Sequence, residues 1–141
     1  MNCFEMKLPA VSRNEAFARN VVASFAVEIA PTLEEINDVK TAVSEAVTNA
    51  VVHAYDNEKG VVEIECKLDE KARWIEIVVR DFGKGIEDVQ KAVEPFFTTA
   101  PGDERSGMGF TIIQTFMDEM SVESAIGKGT SVRMKKVMKG C

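Results

Sequence analysis

The chain has 141 residues, 45% of them hydrophobic and 28% charged, which is the balance of an ordinary globular protein at a length suited to one domain. Its net charge of -6 argues against nucleic acid as a direct partner, because phosphate backbones are held through clustered Lys and Arg. Cys3, Cys66 and Cys141 are scattered and form no C-x-x-C pair, so they suit free thiols in a reducing cytosol rather than a disulfide framework or a zinc site.

In chain order, Phe4, Met6 and Leu8 alternate with Glu5 and Lys7 and predict a short strand closed by Pro9. The same stretch lacks the apolar core of a secretory leader. No apolar run approaches the ~20 residues of a membrane span. A cytoplasmic protein without a membrane partner is therefore expected. Ser12 and Glu15 carry the S-x-x-E signature of a capping box. The helix they open places Phe17, Val21, Phe25 and Ile29 on one face and ends before Pro31. Thr32 and Glu35 repeat the signature. A long helix is predicted from there to about Tyr55, with Ile36, Val39, Val43, Ala46, Val47, Ala50 and Val51 as its apolar positions.

Gly60 opens a β region. Val62, Ile64, Cys66 and Leu68 alternate with Glu63, Glu65 and Lys67. Past a turn near Asp69-Glu70, Ile75, Ile77 and Val79 alternate with Trp74, Glu76, Val78 and Arg80. This predicts a hairpin with one buried face. From Asp81 to Gly109 the chain is rich in Gly, Pro and Thr, with a short helical piece near Glu87 to Val93. A helix is predicted from Met108 to Met120, with Ile112, Ile113, Phe116 and Met120 on its apolar side, and a last hairpin joins Val122–Ala125 to Thr130–Val137 around Gly127-Lys128-Gly129. The order of elements predicts an α+β two-layer sandwich, its mixed, mostly antiparallel sheet covered by helices on one face.

Three segments carry polar groups with chemistry in them. Glu45, Asn49 and His53 recur every four residues, so a regular helix puts them on one face, amid Ala42, Val43, Ala46, Val47, Ala50 and Val51. Polar groups in such company need partners, since stranding each one costs roughly 1–3 kcal/mol. His53, near the helix end, can equally cap carbonyls. Asp81-Phe82-Gly83-Lys84-Gly85-Ile86 follows a strand directly: a carboxylate at the strand end, then two glycines that let the backbone approach a flat ligand. A plain turn accounts for that run equally well. Ser106-Gly107-Met108-Gly109-Phe110 enters a helix beside Arg105, where backbone N–H groups and the helix dipole favour phosphate; a flexible loop is the alternative. Neither a GxxxxGK[ST] nor a strand-linked GxGxxG occurs.

Taken in order, the acid and amide on a helix, D-x-G-x-G after a strand, G-x-G at a helix start and Gly127-Lys128-Gly129-Thr130 resemble the ATP-binding domain shared by gyrase, the Hsp90 chaperone, histidine kinases and MutL. Glu45 to Asn49 matches that superfamily's N box, and the three glycine runs match its three glycine boxes. More closely, SEAVTNAVVHAY, PFFTTAP, ERSGMGF and FMDEM, with NEAFAR in the first helix, are similar to the bacterial anti-sigma factor serine kinases, above all to their sporulation branch, the anti-sigma F factors. The resemblance covers essentially the whole chain.

It implies a protein serine kinase that uses Mg-ATP. Asn49 is the implied Mg²⁺ ligand, with the metal bridging the phosphates of ATP or ADP, and Asp81 the acceptor of the adenine amino group. Gly83, Gly85 and Ile86 are the implied adenine wall, with Thr130 linked through water. Thr98, Thr99, Arg105, Ser106, Gly107, Met108, Gly109 and Phe110 are implied to lie over the phosphates, and Glu45, one turn before Asn49, to be the base. The implied partners are a sporulation sigma factor, an anti-anti-sigma protein phosphorylated on serine, and a second copy of the chain through its N-terminal elements. Arg19 is the candidate partner contact, against a plain solvated arginine. Two alternatives stay open: a general-stress anti-sigma kinase, and a nucleotide-switched binding protein without phosphotransfer. PFFTTAP and ERSGMGF favour the sporulation branch, and Glu45 counts against pure binding.

Overall fold

Alternation in the middle of the chain builds the sheet. The computed structural model describes residues 1–55, 59–94 and 109–140. Strand β2 (Val61–Asp69) runs antiparallel to β3 (Trp74–Asp81), with Ile64 opposite Val79 and Cys66 opposite Ile77. The connection closes where expected, since Asp69 Oδ1 accepts from the backbone N–H groups of Lys71 and Ala72, both at 2.9 Å. Because side chains alternate across a strand, Val62, Ile64, Cys66 and Leu68 share one buried face with Ile75, Ile77 and Val79. Strand β1 (Asn2–Pro9) pairs outside β2 and lays Phe4, Met6 and Leu8 against the same core. Burial in that core pushes the Cys66 thiol far up, which keeps it protonated and inert.

The last two strands complete the sheet out of chain order. Strand β5 (Gly129–Val137) lies against β3, and β4 (Glu119–Ala125) forms the far edge, giving β1-β2-β3-β5-β4. All four pairings are antiparallel, where a partly parallel sheet was expected. A parallel neighbour needs a long crossover between the two strands. The connection from β1 to β2 through α1 and α2 is long too, yet returns β2 antiparallel beside β1; the one from β3 to β4 delivers β4 to the edge, and the tight β4–β5 turn then brings β5 back beside β3 in the opposite direction.

Helix α1 (Arg13–Ala26) packs on α2 (Leu33–Asn49), a single turn α3 spans Val89–Ala92, and α2 packs on α4 (Gly109–Phe116). The Thr32–Glu35 capping box is present in both directions, at 2.8 and 3.1 Å. The Ser12–Glu15 box is absent. Ser12 has helical dihedrals and makes no side-chain cap bond, and Glu15 pairs with Arg19 instead. The buried face of α1 also differs. It consists of Ala18, Val22 and Ala26, continuing to Ile29, while Phe17 is 53% exposed. That face is one residue further on, about 100° round the helix. Small alanines allow α1 close against α2, and Phe25 remains useful at the margin, edge-on to Phe4 with ring centroids 4.9 Å apart.

Glu35 does a second job. Its carboxylate accepts from the backbone N–H groups of Lys139 and Gly140 at 2.7 and 3.2 Å, while Arg73 donates to the carbonyls of Ile29, Ala30 and Lys139. Burial pushes the Glu35 carboxyl up, yet its backbone donors outweigh this and hold it below the usual carboxylate range. The link between α1 and α2 and the segment after β5 are thereby tied together.

Helix α4 ends at Phe116, four residues before the expected Met120. Lys136 Nζ donates to the Phe116 carbonyl at 2.8 Å, a cationic cap for a helix end. The Asp118 N–H bonds Lys135 O at 2.9 Å and starts the sheet pairing that claims Met120 for β4. The face of the sheet away from the helices is polar, with Arg80–Glu65 at 2.6 Å and Arg133–Glu76 at 2.7 Å. Lys135 Nζ stands 4.7 Å from the centre of the Trp74 ring.

Candidate functional site

One end of β3 and the start of β5 meet at a buried carboxylate. Asp81, the last residue of β3, is 9% exposed, and Thr130 beside it is 8% exposed; they are the buried polar residues among those described. Asp81 Oδ1 accepts from the backbone N–H of Gly83 at 3.0 Å and of Thr130 at 3.2 Å. Burial raises the Asp81 carboxyl above its ordinary value, opposed by those two N–H bonds. An acceptor so placed, held by amides rather than by a cation, suits a ligand that brings its own N–H donor.

Two glycines let the backbone close on this point. At Gly129, φ is 116° and a Cβ would overlap the Asp81 carbonyl oxygen. At Gly85, φ is 80° and a Cβ would overlap the Ala125 carbonyl oxygen. The loop after β3 is therefore wedged against the β4–β5 turn, and the Gly127 N–H bonds Lys84 O at 2.8 Å. Ile86 joins through its N–H, which donates to Ser124 Oγ at 2.7 Å; that hydroxyl also lies 2.8 Å from Thr130 Oγ1. Sequence patterning missed Ser124, because it stands in an edge strand outside every glycine motif.

The end of α2 leans on the same loop. The α-helix gives way after Asn49 to a π turn over Ala50–Ala54. Such turns carry i→i+5 bonds, are rare, and recur at functional sites. Ala54 O accepts from the Lys84 N–H at 3.1 Å. Tyr55 OH accepts from the Phe82 N–H at 2.7 Å and donates to Val61 O at 2.9 Å. Tyr55 is a second residue that motif reading passed over.

Glu45 and Asn49 lie one turn apart on the side of α2 that meets α4. A Cβ on Gly109, the first residue of α4, would stand 3.0 Å from Asn49 Oδ1, so the start of α4 rests on that amide. Asn49 Nδ2 and Thr111 Oγ1 are buried without a hydrogen-bond partner. Orphaned groups of this kind are costly, and in native proteins they point to strain or to a function. Phe110 is half-buried against the core.

The structure thus groups Asp81, Gly83, Gly85, Ile86 and Thr130 at one end of the sheet, and Glu45, Asn49 and Gly109 between two helices, with the Ala54–Lys84 and Tyr55–Phe82 bonds linking the groups. Thr98, Thr99, Arg105, Ser106, Gly107 and Met108 lie outside the described residues. Arg19 is separate, on α1. It flanks the buried Ala18, and its side chain is 37% exposed, with Nη1 on both Glu15 oxygens at 2.6 and 2.7 Å. Among the described residues no group of three or more His, Cys, Asp or Glu forms a metal cluster, and no helix is long and apolar enough to cross a membrane.

This fold and site define a histidine kinase-like ATPase domain, and residues 8–136 match the family model of that description. The RsbU and RsbW domains of Rv1364c from Mycobacterium tuberculosis superpose with a TM-score of 0.67 at 18% identity, over 98% of this chain and 32% of that one. The mycobacterial sensor histidine kinase MprB superposes with a TM-score of 0.59 at 18% identity, over 98% and 100%. Within this class the chain belongs to the anti-sigma F factor family, the one its motifs resemble. It is 56% identical over 135 residues to an anti-sigma F factor of Caldanaerobacter subterraneus subsp. tengcongensis, and 56% identical to one of Clostridium acetobutylicum, each match covering 96% of this chain and 93% of the relative.

Proposed function

We propose that the chain is an anti-sigma factor and protein serine kinase: it holds a sporulation sigma factor inactive and, using Mg-ATP, phosphorylates a serine of an anti-anti-sigma protein. The names of its relatives support the sigma partner. The buried Asp81 carboxylate carries the nucleotide reading, because an acceptor held by two backbone N–H groups and flanked by glycine-tight backbone fits the amino edge of adenine. Gly83, Gly85 and Ile86 then line the base, and Thr130 adds a water-linked contact.

At the other end, Asn49 fits a Mg²⁺ site. Its amide oxygen Oδ1 lies against the start of α4 at Gly109, and a hard cation that retains several waters needs only one or two protein oxygens besides the phosphates. When bound, the metal neutralises charge on the phosphates. The chain's own part is positioning and proton transfer. Glu45 takes the proton of the acceptor serine as its oxygen bonds to the γ-phosphorus, and the bond from that phosphorus to the β–γ bridging oxygen breaks to release ADP. Gly109 and Phe110, with the residues from Thr98 to Met108, complete the phosphate side.

The test is direct. Labelled ATP, Mg²⁺ and the anti-anti-sigma protein of the same organism should give labelled phosphoserine on that protein. Nucleotide binding without any transfer would replace the kinase by a nucleotide-switched binding protein.

Arg19 is the proposed partner contact on the N-terminal side, where exposed Phe17 also supports pairing with a second copy of the chain. Among the described residues Nη1 pairs with Glu15, and a planar fork of this kind can also take a partner's carboxylate. Arg19→Ala should cost the fold only the few tenths of a kcal/mol of an i,i+4 pair. It should weaken the sigma factor, the anti-anti-sigma protein or both by about 2 kcal/mol, the scale of an interface hot spot. Surface-binding assays with each partner, run with Mg-ATP and with Mg-ADP, check it; unchanged affinity for both returns Arg19 to a surface charge.

A further inference from the structure

The ladder between β2 and β3 stops one rung short. Its register, with Glu63 opposite Arg80 and Val62 opposite Asp81, points on to Val61 opposite Phe82. Successive residues of a strand turn their N–H and C=O to opposite neighbours. Gly60 O bonds the Ala10 N–H on the β1 side, so Val61 O faces the β3 side. The next bond of the ladder would therefore join the Phe82 N–H to Val61 O. The Tyr55 hydroxyl stands between them instead, accepting from the Phe82 N–H at 2.7 Å and donating to Val61 O at 2.9 Å. A phenol has one proton, and Val61 O can only accept, so the direction of both bonds is fixed. The ring packs on the Cα of Gly60, where a Cβ would overlap it. Strand β3 ends at Asp81, and the chain leaves the sheet there.

We propose that Tyr55 is a positioning residue for nucleotide binding: its hydroxyl wedges the last rung of the ladder open, and this sets the Asp81 carboxylate for its ligand. The inference rests on the adenine-site reading above. Phe82 stands between Asp81 and Gly83, and the Gly83 N–H bonds Asp81 Oδ1. Gly83 in turn lies against Ala54, whose carbonyl oxygen a Cβ there would overlap. Two consecutive residues at the end of the π turn thus clamp the loop, Ala54 O through the Lys84 N–H and Tyr55 OH through the Phe82 N–H. Without the hydroxyl, the Phe82 N–H closes on Val61 O directly. Strand β3 then gains a residue, the loop moves toward β2, and the Gly83 N–H is drawn off Asp81. The fold loses little, because a ladder bond replaces the bridged one. The ligand loses a carboxylate held in its binding geometry.

Calorimetry of Mg-ATP and Mg-ADP on the wild type, Tyr55→Phe, Asp81→Asn and the double variant tests this. Tyr55→Phe should weaken binding about tenfold, the worth of one hydrogen bond. Both nucleotides should lose the same factor, because Asp81 meets the base and not the phosphates. In the Asp81→Asn background the same substitution should cost less than about twofold, since residues acting through one contact are not additive and the carboxylate is already gone. Gly60→Ala, which displaces the ring by a separate route, should reproduce the loss and add nothing to Tyr55→Phe. If Tyr55→Phe does not fold, Gly60→Ala combined with Asp81→Asn reads the same coupling. A merely structural role would cost the same factor with and without the Asp81 carboxylate, which overturns the proposal. So does undiminished affinity in Tyr55→Phe, or a loss confined to ATP. An Asp81→Asn variant that binds as the wild type does overturns the adenine site itself.

Discussion

Glu45→Gln is expected to bind Mg-ATP as the wild type does and to transfer phosphate about 10²–10⁴-fold more slowly, the contribution of a positioned general base. The substitution keeps length and polarity and removes only basicity. Glu45 lies on α2 between the buried Ala42 and Ala46, so an isosteric amide leaves the helix packing intact. A serine hydroxyl is a weak nucleophile, and the defect should fall on kcat with KM unchanged, the mark of an interaction made only in the transition state. Single-turnover transfer of labelled phosphate, beside calorimetry of Mg-ATP, separates the two quantities. Transfer at the wild-type rate would mean that Glu45 is not the base.

Asp81→Asn should weaken ATP about a hundredfold, the worth of a hydrogen bond to a buried charge, while leaving the unliganded protein as stable or more so. The amide oxygen can keep both N–H bonds now made by Oδ1, but its NH₂ group faces adenine where an acceptor is needed. The stability half follows from linkage. Burial raises the Asp81 carboxyl in the folded state, so the unfolded chain ionises more readily and the charge costs stability at neutral pH. Removing it gives the variant an advantage above the folded pKa. The advantage shrinks as pH falls through that pKa and is gone below the ordinary value of 3.8, where both proteins carry a neutral group. Melting curves across pH, with calorimetry at neutral pH, check both halves; a destabilised variant with undiminished ATP affinity would remove Asp81 from the adenine site.

Much of the fold was legible where local chemistry decides it. The β2–β3 hairpin follows from strict alternation on both sides of Asp69, and α2 starts where Thr32 and Glu35 can cap each other. The face of α1 departs from expectation because bulk does not mark burial there. The helix contact is made by Ala18 and Ala26, whose smallness is what lets two helices approach, and the sequence gives no local sign of that preference. Ser12 does not cap although its motif is intact, because its own backbone is already helical where a cap needs extended dihedrals. At the site, Asp81 with its glycines was visible because spacing alone marks it. Ser124 and Tyr55 were not. Their hydroxyls matter through pairings across 6 to 38 residues, set by strand register and by the π turn, and no short motif encodes these. The π turn itself left no trace in the apolar pattern, which runs unbroken from Val39 to Val51.

The chain has one tryptophan, Trp74, at the first position of β3, while Asp81 is the last. Seven strand steps of ~3.3 Å place the indole roughly 23 Å from the carboxylate. It rests against Lys135 on the face of the sheet turned away from the helices. Intrinsic fluorescence of this protein is therefore an optical gauge of the sheet alone. Its emission follows the melting of β3 and β5, and it stays dark to whatever enters or leaves the far end of the strand, so a single cuvette can certify a folded variant without first settling what that variant binds.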